Sequence, residues 1–127
     1  MFKLVALVTM KEGTPIDELL QRGRELLAKE PNVLRYQLER DAGHNQHYTV
    51  TQASFALLCD FNSADDWKRY IASPIHEELN MLFKPWRIGA MAMPYEGWWM
   101  LVDARGLGVY KTLVFWKGRF DCGLFVL

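Results

Sequence analysis

The chain has 127 residues, half of them hydrophobic and 24% charged, the balance of one globular domain with a sizeable core but no room for two. Fifteen basic and fifteen acidic side chains cancel without any block of like charge, which argues against a nucleic-acid binder, since that role needs a basic surface to displace counterions. Cys59 and Cys122 are far apart and lack metal-ligand spacing, so a reduced, cytoplasmic protein is expected. The apolar opening from Met1 to Thr9 is short for a secretory signal and has no cleavage site. No run approaches the roughly 20 apolar residues that cross a bilayer, so no membrane partner is expected.

Residues 3–10 are rich in Val and Leu and predict a buried first strand. Lys11-Glu12-Gly13 breaks it. Thr14-Pro15-Ile16-Asp17 is a helix start, with Thr14 as N-cap, Pro15 at the first helical position and an acid at the third. Ile16, Leu19, Leu20, Gly23, Leu26 and Leu27 follow at helical spacing, and Glu30-Pro31-Asn32 ends the helix. Gly23 on the inner face costs about 1 kcal/mol in propensity against Ala, which predicts close approach of the helix to a sheet. Val33 to Arg40 alternates as a second strand, with Leu34, Tyr36, Leu38 and Arg40 on one side. Asp41 to His47 is a polar loop. Ser54 to Phe61 is a third strand, so apolar that cover on both faces is expected.

A second helix opens on Ser63, whose hydroxyl suits the amide of Asp66, with Asp65 and Asp66 at the positive end of the dipole. Trp67, Tyr70 and Ile71 form one apolar face. Pro74 has no amide proton and biases Ser73 away from the helical region, so the helix kinks or restarts there. Ile75, Leu79, Leu82 and Phe83 then continue the apolar stripe, and Arg87 to Met93 makes a fourth strand ended by Pro94. The order β-α-β-β-α-β is the ferredoxin-like arrangement of the α+β class. With both helices on one face of an antiparallel sheet, an apolar opposite face needs a partner. Residues 95–127 read as a β-rich C-terminal segment, with strands about Arg105-Gly106-Leu107-Gly108 and a turn at Lys117-Gly118-Arg119. Its Trp98, Trp99, Phe115, Trp116, Phe120 and Phe125 are too much aromatic surface for water, so the segment is expected to pack on the barrel or on a partner.

Tyr70, Pro74 and His76, with Phe61 closing the strand before them, make a Tyr-x-x-x-Pro-x-His pattern. It resembles the signature of the stress-responsive dimeric α/β-barrel (Dabb) proteins, over roughly residues 1–94. The resemblance implies a homodimer in which two sheets pack face to face as an α/β barrel. Many such proteins have no assigned activity, and the leading expectation is the same here: a barrel that binds a small apolar ligand in its cavity, without a cofactor. The alternative is a cofactor-free cyclase or isomerase of polyketide-like substrates. Cyclases of the family use a Tyr and a His at this spacing, which carries onto Tyr70 as acid and His76 as base. Their further histidines on the first and third strands align with Leu4 and Phe55 here, an apolar replacement. The second alternative is a haem- or quinol-handling monooxygenase, because related barrels degrade haem with a helix histidine.

From the residues alone, His76 titrates near neutrality and suits proton transfer, or else it braces the restarted helix through a backbone carbonyl. Tyr70 is either a proton donor or plain packing. His44 and His47 sit at i, i+3 near Asp41, a loop cluster more usual as solvated side chains than as metal ligands, and no metal is expected. Cys59 reads as a small hydrophobe in a strand. Cys122 has only Arg119 near enough to favour a thiolate.

Overall fold

The computed structural model describes residues 1–44 and 52–97, and the backbone of 101–102, 109–116 and 119–126. The chain divides into two compact units, Phe2–Tyr95 and a unit made of Met1 with Glu96–Leu127.

In the larger unit β1 (Phe2–Met10) turns Leu4, Ala6, Val8 and Met10 inward, and the period-2 alternation leaves Val5 and Leu7 on the other side. The chain then turns through Gly13 at φ +81°, a conformation that favours glycine, into α1 (Ile16–Ala28). The expected cap at Thr14 is not what forms. Pro15 is the N-cap, its carbonyl accepting from Leu19 N at 3.1 Å, while the Thr14 hydroxyl donates backward to the Lys11 carbonyl at 2.5 Å. The hydroxyl closes the preceding turn and so is not free for the helix amides.

Gly23 does bring α1 against the sheet. A Cβ there would lie 2.7 Å from Leu38 Cδ2 and 3.3 Å from Phe83 Cζ. Leu38 belongs to β2 (Arg35–Arg40), which begins two residues later than the alternation from Val33 suggests. The next residue of α1 reinforces the approach: Arg24 Nε and Nη2 donate to the Leu38 carbonyl at 3.0 and 2.7 Å, and Tyr36 Oη donates to the Arg24 carbonyl at 3.1 Å.

β3 (Phe55–Phe61) lies antiparallel between β1 and β2, with Leu4 opposite Cys59 and Leu38 opposite Leu57. Phe55, Leu57, Cys59 and Phe61 are buried against the helices. Among the described residues the expected cover on both faces is not found, and Leu58 on the other face is 39% exposed. The helices occupy one side only, so apolar content alone did not distinguish a two-sided strand from one awaiting a second layer.

The second helical region is two helices, α2 (Ala64–Ile71) and α3 (Pro74–Phe83). Ile71, read as part of the apolar face, is exposed; the helix ends on it, short of another buried turn. β4 (Arg87–Glu96) completes a four-stranded sheet of order β2-β3-β1-β4. It runs through Pro94 instead of stopping there. On an edge strand a residue without an amide proton interrupts no ladder bond on its open side.

The second unit carries a separate antiparallel sheet of β5 (Leu101–Val102), β6 (Val109–Trp116) and β7 (Arg119–Val126), in that order, with Tyr110 opposite Phe125. The turn at 105–108 and the aromatic side chains of this segment lie outside the described residues.

Candidate functional site

The break between α2 and α3 is built by two serines and a proline. Ser63 starts α2 by accepting from Asp66 N at 3.2 Å, and Ser73 repeats the device for α3, accepting from His76 N at 3.2 Å with Pro74 at the first helical position. The restart swings His76 back against the last turn of α2. The Tyr70 and His76 rings meet edge to face with centroids 4.9 Å apart, and Tyr70 packs on Phe61 at 5.5 Å. The spacing in the sequence therefore does bring these two side chains together.

Their surroundings differ. Tyr70 is 1% exposed, and burial, then the neighbouring Cys59 and Glu30, raises the phenol well above its ordinary range. It stays protonated at every physiological pH. His76 is half-buried, and burial lowers its pKa against the opposing pull of a backbone hydrogen bond to Ile71 and the charges of Glu77 and Glu30. Its Nδ1 lies 3.4 Å from Asn80 Nδ2. The imidazole is thus largely neutral at pH 7 and tied to both helices, to the end of α2 through Ile71 and to α3 through Asn80.

Glu30 is the member that the sequence reading missed as a site residue. It is the one buried charged side chain among the described residues, at 4% exposure. Its Oε1 accepts from Asn32 N at 3.1 Å and from Asn32 Nδ2 at 2.8 Å. A signal was present: after Leu20, Gly23 and Leu27, position 30 falls on the same inner face, where a carboxylate needs a built partner. Leu4 and Phe55 are both in the hydrophobic core with Tyr70. Burial and then Asp60 push the Cys59 thiol up to about 12, so it behaves as the hydrophobe its strand implied. His47 of the loop cluster lies outside the described residues. No helix among them is long and apolar enough to cross a membrane.

Two further features frame this unit. Across the uncovered face of the sheet, Asp60 takes Lys3 Nζ at 2.8 Å and Arg35 Nη2 at 3.0 Å, a charged row in register over three strands. Behind the helices, α1 and α3 leave an open groove of about 520 Å³, which neither Tyr70 nor His76 lines.

The model of the stress responsive A/B barrel domain family matches residues 3–96. Several solved structures share the fold. A dimeric ferredoxin-like protein of unknown function from Thermobifida fusca aligns at TM-score 0.64 and 20% identity, over 74% of this chain and 88% of its own. A Dabb family protein with a ferredoxin-like fold from Mesorhizobium loti aligns at TM-score 0.62 and 14% identity, over 76% and 95%. The hydroxynitrile lyase of Passiflora edulis aligns at TM-score 0.64 and 18% identity, over 74% and 90%. No curated protein matches the sequence.

Proposed function

The chain belongs to the stress-responsive A/B barrel domain family, and on that footing we propose that it works as a homodimer whose facing sheets enclose a site for a small apolar ligand. The observation that carries this reading is the uncovered face of the sheet. Leu7 is 44% exposed and Leu58 39%, while on β1 and β3 the helices shield the opposite face completely enough to bury Leu4, Leu57 and Phe61. An apolar sheet face of this kind is costly in water, and a second copy related by a two-fold axis supplies the missing layer with the same residues. The Lys3–Asp60–Arg35 row gives that face a polar margin, so the hollow between two sheets would be apolar within and charged at its rim. Such a lining selects a small, mostly apolar molecule. In this reading Tyr70 and His76 hold the α2–α3 break, and the 95–127 segment adds β-rich cover to the barrel or the partner.

The test is light scattering on the full chain together with an uncharged fluorescent probe, N-phenyl-1-naphthylamine. The wild type is expected at no less than twice its 14.8 kDa chain mass, with saturable probe fluorescence. Leu7→Asp with Leu58→Asp is expected to lower the mass by half and abolish the saturable signal. A wild type that stays a single chain at every concentration, or probe binding that survives the double substitution unchanged, overturns the reading.

Proton-transfer chemistry, as in a cofactor-free cyclase or isomerase, is the second reading. The edge contact of a protonated phenol with a neutral imidazole favours it. It requires a substrate oxygen to come between Tyr70 and His76. A ligand-bound crystal structure in which the two rings remain in contact, with the ligand elsewhere, ends it.

A further inference from the structure

The helical side of the larger unit carries a second surface, unrelated to the sheet face. In the α1–α3 groove, Arg22 and Lys29 stand on the α1 wall and Glu77 and Glu78 on the α3 wall, with apolar side chains such as Leu26 and Met81 between them. Met81 is 61% exposed. All four charged residues are exposed, and none of them forms an ion pair among the described residues. Glu25, the one acid on the α1 wall, is engaged by Gln21 Nε2 at 3.3 Å. The groove therefore has a cationic wall and an anionic wall that do not answer each other, across an apolar floor.

We propose that this groove docks a second copy of the chain, with α1 of each copy lying over α3 of the other. A two-fold axis along the groove makes the contact self-complementary, because it carries the cationic wall onto the partner's anionic wall twice over. A small-molecule site gathers its few polar groups around one enclosed apolar space. Here the charges are spread along two open walls, which suits an extended surface of opposite pattern. Apolar contact through Met81 and Leu26 supplies the attraction, and the charges set orientation and reject other registers. The contact lies on the side of the sheet opposite the uncovered face, so each sheet-face dimer presents two such grooves and the two contacts together join dimers end to end.

Complementary charge reversal tests this. One variant carries Arg22→Glu and Lys29→Glu, making both walls acidic; the other carries Glu77→Lys and Glu78→Lys, making both basic. Far-UV circular dichroism checks that each folds. In light scattering at high concentration the wild type is expected to grow beyond the mass of the sheet-face dimer as concentration rises. Each variant alone is expected to stop at that dimer, and an equimolar mixture to regain the larger mass. Adding Met81→Asp to both partners is expected to abolish the mixed assembly, which separates a groove contact from general attraction between oppositely charged proteins. Repeating the series with Leu7→Asp and Leu58→Asp isolates the groove from the sheet. There the wild-type groove should give a two-chain species that shows the same pattern of loss and recovery. A variant that keeps the larger mass alone, a mixture that does not regain it, assembly indifferent to Met81→Asp, or a wild-type groove that leaves the sheet-face variant a single chain would each overturn the proposal.

Discussion

Replacing Gly23 with alanine sets two effects of opposite sign against each other. Helix propensity alone favours the substitution by about 1 kcal/mol. The added methyl, however, would lie 2.7 Å from Leu38 Cδ2 and 3.3 Å from Phe83 Cζ, inside the ~3.5–4.0 Å at which carbon atoms attract. Leu38 has little room to yield: its side chain is buried, its backbone pairs with Leu57, and its carbonyl is held by Arg24 from the same helix. Overpacking of this kind costs ~1–3 kcal/mol, so the net expectation is a loss of roughly 1 kcal/mol, and about 2 at the upper end. Urea unfolding at fixed protein concentration is the assay, and in a thermal scan each kcal/mol corresponds to roughly 4 °C for a chain of this size. In a Leu38→Val background the clash is relieved and the alanine should become neutral or stabilising, with a coupling of at least about 0.5 kcal/mol. An increase in the unfolding midpoint for Gly23→Ala in the wild-type background would refute the close-packing argument, leaving helix propensity as the only effect in play.

Ser73→Ala removes the acceptor for His76 N and is expected to cost ~1 kcal/mol, whereas Ser73→Gly should cost only a few tenths, measured by the same unfolding curves. Because burial lowers the His76 pKa in the fold, the unfolded chain binds the extra proton more readily. Stability is therefore expected to fall as pH drops through about 6.5, and His76→Gln should flatten that slope; equal slopes in variant and wild type would contradict it. The Cys59 thiol, with its pKa at about 12, should resist iodoacetamide in the folded protein of a Cys122→Ser background and react on unfolding, as mass spectrometry would read.

Features fixed by local chemistry were legible in the sequence. Ser63 caps where its hydroxyl and the following acids imply, and Pro74 forces the restart that brings Tyr70 to His76, with Ser73 supplying a second cap that the sequence reading did not name. Gly23 announced a close neighbour, though not which one. Features decided by context were not. Thr14 and Pro15 look like a capped helix start, yet the hydroxyl finds the Lys11 carbonyl first. Pro94 reads as a stop until the strand is known to lie on an edge. The apolar run of β3 has the composition of a doubly covered strand, and only the placement of the helices shows one side to be open. Glu30 had the right spacing, but a lone acid at a helix end is ordinarily solvated, and nothing local reveals that Asn32 folds over it.

The two outer strands of the four-stranded sheet share one consequence. Along β2, Arg24 already occupies the Leu38 carbonyl that an incoming strand would seek, and along β4 Pro94 has no amide to offer. Lateral growth into a ribbon is discouraged at both margins. What remains open to self-recognition is the pair of broad faces, so copies of this chain can add only face upon face, not strand upon strand in the plane of the sheet.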